Sequence, residues 1–419
     1  MVPGPAAFCG RVCKFNRRWA FLKPASRAKV ANPAPQPATR IPTMSNEKLD
    51  EAARLKAAYE RNEFLNLHEV VAKARQNLNQ NAWDYIVGGV ETETTLRRNR
   101  MALDTVAFRP RVLRDVSKVD ASTELLGRKL RLPIVLCPVG TLESFHPEGA
   151  APVVKAAGEF GIAHMLSSVC DPGLEGVAQA APDAFRMFQL YVRGDAAWVD
   201  DHVARAIANK YSVFCLTVDT AHYSRRERDI AKRHITGGRR RASGREYQEA
   251  LDWKTVERIK SKFKIPLAIK GIATAEDAKL CLDHGVDFVF VSNHGGRQLD
   301  HGRGTTDVLP EVVEAVAGRA KVIVDGGFYR GSDIVKAKAM GADLIGLGRM
   351  QCYGLAAGGQ AGIVRMLELL EDEVIRSMGL LGATSYAKLD SSMLHVAAAA
   401  NVPGVFSAFP HLEIAPYRY

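Results

Sequence analysis

His294 stands in the run SNHGGRQLD (292–300), with two glycines after it and Arg297 three positions on. An imidazole with a loose backbone beside a guanidinium is part of the equipment for taking a proton from a molecule held by its carboxylate. The remaining parts occur far away in the chain. Asp219 would orient the imidazole and stabilise its charged form, Arg226 would join Arg297 on the two carboxylate oxygens, and Tyr85 and Tyr191 would supply hydroxyls. Taken alone, a histidine is more often structural, and Arg226 within RRERD also suits a solvated helix face. Whether these residues share one place in the fold decides between the readings.

Two further features concern phosphate and negative charge. DGG (325–327) and GLGR (346–349) are glycine-rich, the second ending in Arg349, and exposed backbone N–H groups with an arginine suit a phosphate. Lys270 closes the apolar run LAIKG. An ammonium there needs an anion, either a neighbouring carboxylate such as Asp219 or negative charge on a substrate or cofactor.

The elements that would bring these residues together are short β-rich runs at 134–138, 162–166, 185–191, 213–218, 267–270, 287–292, 321–325 and 343–347. Segments of helical spacing separate them, among them 148–160, 196–209, 274–284 and 331–340. Eight strand–helix units in a row predict an α/β chain folded as a (β/α)8 TIM barrel in preference to an open doubly wound sheet. In such a barrel chemistry gathers at the C-terminal strand ends. Those ends here hold Pro138, Val139 and Gly140, then Ser167, Gln189 with Tyr191, Thr217 with Asp219, Lys270, Ser292 with His294, Asp325, Gly326 and Gly327, and Gly348 with Arg349. The fourth and fifth runs start 54 residues apart and enclose GGRRRASGR, an inserted loop at the mouth. A helical segment over 46–80 would cap the barrel. The expected organisation is a basic leader (1–45), a helical cap (46–130), the barrel (131–395) and a tail (396–419).

The chain has 419 residues and a formal charge of +11. Residues 1–43 hold eight Lys/Arg and no acid, so the remainder carries only +3. Such a leader reads as a transit peptide or as translation from a start upstream of Met44. A second cluster, 225–245, has nine Lys/Arg against Glu227 and Asp229. This cluster in the folded region holds no Phe, Tyr or Trp, and no nucleic acid is expected as a partner. Seven cysteines without CxxC spacing fit buried free thiols in a reducing compartment, and no 18-residue apolar run argues for a spanning helix.

These motifs, with FQLYV (188–192), LTVDT (216–220), RRERDI (225–230), IKGI (269–272), YIVGGVETETTLRRN (85–99) and FRPRVLRDV (108–116), resemble the FMN-dependent L-2-hydroxy acid oxidases and dehydrogenases over about 64–390. The resemblance implies FMN as cofactor. Pro138, Val139 and Gly140 would lie along the flavin; Ser167, Gln189, Thr217 and Ser292 would bond around the ring, and Lys270 would sit near its N1. Asp325, Gly326, Gly327, Gly348, Arg349 and Arg330 would hold ribityl and phosphate. Tyr85, Arg226 and Arg297 would bind the substrate carboxylate, Tyr191 its hydroxyl, and His294 with Asp219 would act as the base pair. The product would be a 2-keto acid.

Three departures from the family pattern stand out. Gly140 replaces a common alanine, as in lactate monooxygenase; Tyr329 in DGGFYRG replaces the usual arginine; and the fourth insertion is short and basic, with Arg239, Arg240 and Arg241. Through 231–245 it would touch at most an anionic membrane surface or an acidic partner. Thr141, Val169 and Tyr223 would set specificity. Val169, smaller than the tryptophan of glycolate oxidases, predicts a lactate-like or larger substrate. Residues 1–63 are too short for a cytochrome domain, so oxygen, quinone or a separate redox protein would accept the electrons. The family often forms homotetramers. The C-terminus lacks a Ser-Lys-Leu-like ending, and the expected location is cytoplasmic, or mitochondrial if the leader is a transit peptide. Rival readings are an FMN-dependent isomerase on the same barrel and a basic protein binding anionic surfaces.

Overall fold

Eight parallel strands close into a barrel in this computed structural model, which describes residues 63–235 and 243–413 and the isolated positions 53, 56 and 57. The strands are β1 (Ile134–Leu136), β2 (Ala163–Ser167), β3 (Phe185–Leu190), β4 (Val213–Thr217), β5 (Leu267–Ile272), β6 (Phe288–Val291), β7 (Lys321–Val324) and β8 (Leu344–Leu347). Each pairs with the next, and β8 pairs with β1 at Ile345 and Ile134. Every predicted run coincides with one of them. They were recognisable because parallel strands covered on both faces are apolar almost throughout.

Inside the barrel Met165, Met187, Phe288, Phe290 and Ile323 form a packed plug. Outward-facing residues such as Leu166, Phe214 and Val289 meet the surrounding helices. This plug closes the barrel's middle, so a ligand can enter only at the strand ends.

Among the residues described continuously from 63 onward, three helices precede the barrel: α1 (Leu67–Asn77), α2 (Gln80–Val87) and α3 (Thr94–Asp104). Asn66 and Asn79 cap the first two by accepting from the backbone N–H of Glu69 and Ala82. The helical cap expected over 46–80 is seen in α1 and at the isolated helical positions 53, 56 and 57, and the other residues of 46–62 lie outside the described residues. The leader 1–45 lies outside the described residues, as do Arg239, Arg240 and Arg241. At the other end, Leu394–Val396 pairs antiparallel with Val106–Phe108, and Phe409 is buried against Tyr329. Among the described residues no helix is long and apolar enough to cross a membrane.

Polar side chains on α3 tie down the loops after β6 and β7. Asn99 Nδ2 donates to Asn293 Oδ1 at 2.9 Å, and Arg100 Nη1 donates to the Gly327 carbonyl at 2.8 Å and to Asp333 Oδ2 at 2.7 Å. Asp300, which ends the His294 loop, accepts from the backbone N–H of Thr92 and Thr95 at the start of α3. Burial pushes the Asp300 carboxyl up, but the Thr92 hydroxyl, which also donates to it, and these backbone bonds bring it down to about 2. The loop is thereby clamped at both ends.

Candidate active site

A cavity opens at the C-terminal ends of the strands. Tyr85 reaches it from α2, Tyr191 from the end of β3, Lys270 from β5, His294 and Arg297 from the loop after β6, and Arg226 from the segment after β4. The residues dispersed through the sequence thus share a single place.

His294 sits at φ 58° and is followed by Gly295 and Gly296 at 65° and 74°, three left-handed residues in a row. A Cβ on Gly296 would lie 2.5 Å from the Leu96 backbone, so glycine is needed for the loop to lie on α3. The turn aims the ring between two partners. Nδ1 is 2.9 Å from Asp219 Oδ1, and Nε2 is 3.2 Å from the Tyr191 hydroxyl. Since an ionised carboxylate only accepts, Nδ1 carries the proton and Nε2 presents its lone pair. Burial lowers the His294 pKa, Asp219 opposes this, and the net position is below the usual 6.5. Asp219 is pushed up by burial, but His294 and Lys270 bring it below the ordinary carboxylate range. At neutral pH the pair is a neutral imidazole and a carboxylate.

Arg297 donates to the carbonyls of Tyr85 at 2.6 Å and Gly88 at 2.7 Å through Nη1, and its guanidinium lies 4.6 Å from the Tyr85 ring centre. Arg226 lies 5.8 Å from the same ring. Arg297 Nη2 and Arg226 Nε are buried with no partner among the described residues. Two uncompensated cations so close disfavour one another. Burial and Arg226 bring the Arg297 pKa down to about 9, and burial of Tyr85 is overcome by the two arginines, which lower its phenol. A bound carboxylate would relieve both effects.

At the cavity floor Lys270 Nζ donates to Ser292 Oγ at 2.7 Å, Ser292 donates to Asp325 Oδ1 at 2.7 Å, and Lys270 lies 3.2 Å from Asp325 Oδ2. Its paired carboxylate is therefore Asp325, whereas the sequence had offered Asp219 as an example of such a partner beside a role toward negative charge on a ligand. Burial alone would lower the Lys270 pKa; Asp325 and Asp219 raise it, and the ammonium stays charged.

Pro138, Val139, Gly140, Gly326, Gly327, Gly348 and Arg349 line the cavity, whereas Ser167, Gln189, Thr217 and Ser292 are buried at its strand ends. Both side-chain polar atoms of Gln189 and the Thr217 hydroxyl lack a partner among the described residues. Buried polar atoms are ordinarily satisfied, so these three mark the place of a polar ligand. A flavin ring, flat and edged with alternating acceptors and a donor, fits such a set. Beyond it the glycines 326, 327 and 348 leave backbone free for a ribityl phosphate, at the end of the barrel where phosphates commonly bind. On these observations the residues present fit FMN.

Arg330 departs from expectation. It does not line the cavity, because its guanidinium pairs with Glu373 on the long helix Arg349–Leu381. Arg349 is the nearer cation, held by the carbonyls of Ile86, Gly88 and Gly295. Several lining or supporting residues were missed from sequence: Arg193 and Arg245 line the cavity, and buried Gln248 braces it, while Tyr329, noted from sequence as a departure in the phosphate loop, lines it as well. For Arg245 the basic cluster was the available signal.

Comparison with known proteins bears on the same residues. The family model described as FMN-dependent dehydrogenase matches residues 74–396. Glycolate oxidase 1 of Zea mays is 38% identical over 349 residues, covering 78% of this chain and 94% of that protein. L-lactate oxidase of Nostoc sp. is 36% identical over 358 residues, covering 79% and 98%. The crystal structure of mandelate oxidase with (S)-2-phenylpropionate superposes with a TM-score of 0.74 at 34% identity, covering 79% of this chain and 98% of that one.

Proposed function

Because the chain belongs to the FMN-dependent dehydrogenase family, we propose that the cavity oxidises an L-2-hydroxy acid, lactate-like or larger, to its 2-keto acid through the residues assigned below. FMN is the cofactor, and when bound it supplies a two-electron acceptor. The observation that carries the assignment is the facing of two kinds of group: a neutral imidazole whose Nε2 lone pair is turned to the Tyr191 hydroxyl in the cavity, and two arginines with unspent N–H groups.

Arg226 and Arg297 bind the substrate carboxylate, with Tyr85 packed against both guanidiniums and its hydroxyl available to the same group. Tyr191 bonds the substrate hydroxyl. Oxidising the H–C–O–H unit removes two electrons and two protons; His294 Nε2 takes one proton, and the electron pair with the other proton would pass to bound FMN. Asp219 then stabilises the imidazolium and keeps Nε2 facing the substrate. Gln189, Thr217 and Ser167 would hold the flavin ring, Lys270 would offer it positive charge, and Arg349 with the glycines would serve the phosphate.

Val169 lines the cavity and supports a substrate with a side chain beyond hydrogen. The test is turnover of glycolate, L-lactate, L-2-hydroxybutyrate and L-mandelate, followed as 2-keto acid formed. The reading expects glycolate to be the poorest. Glycolate as the best substrate would overturn the size assignment, and keto acid from none of them would overturn the function. Oxygen, quinone or a redox protein takes the electrons onward, and the homologous oxidases support oxygen.

A further inference from the structure

Six cations line the cavity, Arg193, Arg226, Arg245, Lys270, Arg297 and Arg349, against one carboxylate, Asp325. Four of them have roles above. Arg226 and Arg297 face the reacting carboxylate, Arg349 the phosphate end, and Lys270 is matched by Asp325. Arg193 and Arg245 serve neither the reacting carboxylate nor the phosphate end.

Both enter from one crossing of the backbone. Gly244 passes over the Arg193 carbonyl so closely, at φ 65°, that a Cβ there would lie 2.1 Å from that oxygen. Gln248, buried and one helical turn on from Arg245, pins the crossing. Its side-chain oxygen accepts from Val192 N–H at 2.7 Å, and its amide donates to the Thr217 carbonyl at 2.8 Å. The short helix Arg245–Glu249 is thereby fixed to the ends of β3 and β4, and Arg245 with it. Its guanidinium lies 5.5 Å from the Tyr223 ring, pairs with Glu249 at 2.6 Å and donates to His222 Nδ1 at 2.9 Å. Glu249 and His222 are not part of the cavity wall, so at this rim the wall presents Arg245 and not its carboxylate partner.

We propose that the substrate carries a second anionic group at the end away from its reacting carbon, and that Arg193 and Arg245 receive that group. This rests on the 2-hydroxy acid reading and names the substrate class within it. Guanidiniums match the planar oxygens of a carboxylate and also bind phosphate. A cleft lined almost wholly by one sign of charge concentrates ligands of the opposite sign, so a doubly anionic acid gains in encounter as well as in contact. An acidic patch on a protein electron acceptor could meet the same rim, but it would play no part in the step that reduces the flavin.

The test is anaerobic stopped-flow reduction of the FMN-loaded protein by L-malate and L-2-hydroxyglutarate. The comparison is with their neutral distal monoamides and with L-2-hydroxybutyrate. The expected result is an apparent Kd at least tenfold lower for one diacid than for its monoamide. Arg245→Ala should bring that ratio to within twofold, Arg245→Lys should keep part of it, and Arg245→Glu should invert it. Equal behaviour of diacid and amide, or equal weakening of both by Arg245→Ala, would overturn the proposal. So would an effect of the variants confined to turnover with a protein acceptor. Reduction by monocarboxylates alone would sink the distal site and spare the parent reading, whereas reduction by no hydroxy acid would sink both.

Discussion

His294 is held by two opposed influences, burial that disfavours its charge and Asp219 that favours it, with burial prevailing. The competent form is the neutral one, and its fraction grows as pH rises through a value below 6.5. kcat/KM should therefore fall on the acid side and reach a plateau above about pH 6.5. Asp219→Asn removes the favourable partner. It should lower kcat/KM by about 10²–10⁴-fold and shift the acid limb to still lower pH, as a pH–rate profile would read. An unshifted limb would mean that another group titrates. Gly140 presents a second case at this scale. A Cβ there would lie 2.7 Å from Val169 Cγ2, so the small residue at 140 and the side chain at 169 are fitted to each other. Gly140→Ala should cost flavin reduction less when combined with Val169→Ala than alone, a coupling that a double-mutant cycle measures.

The strands place the chemistry, and local breaks in their regularity set its fine geometry. β5 shifts register between Lys270 and Ile272, with Gly271 at φ 118° lying against Asp219. A Cβ on Gly271 would stand 2.8 Å from Asp219 Cβ. Gly271→Ala should destabilise the fold by about 1–3 kcal/mol and pull Asp219 from His294, lowering both melting temperature and kcat. A loss of stability with full activity would contradict that geometry. All eight strands were legible because each is a short β-rich run ended by polar or glycine residues. The ends also revealed His294, Lys270 and the glycines. What escaped notice depends on contacts across long sequence separations: Asn99 and Arg100 on α3 bracing loops about 200 residues away, and Gln248 bridging β3 and β4. Arg330 shows the converse. Its position next to DGG suggested phosphate, but the neighbouring helix offers Glu373 and takes the side chain away.

Across the whole molecule, buried imidazoles couple stability to pH. His164 on β2 is fully enclosed, and burial, reinforced by Arg186, lowers it to about 3. Its folded pKa lies below the unfolded value of 6.5, so between those values the unfolded chain binds the extra proton. Its contribution is therefore complete above about pH 6.5 and is lost as pH falls, roughly 3 kcal/mol by pH 4. Thermal melts from pH 7 to 4 should show this decline, lessened in His164→Gln. The central claim concerns the barrel mouth, and its most direct test is the visible spectrum of the purified protein without oxygen, before and after L-2-hydroxy acids are added. The account predicts a flavin spectrum that bleaches with at least one of them, while His294→Ala keeps the flavin and loses the bleaching. A retained flavin that His294→Ala still allows to bleach at the parent rate would contradict it.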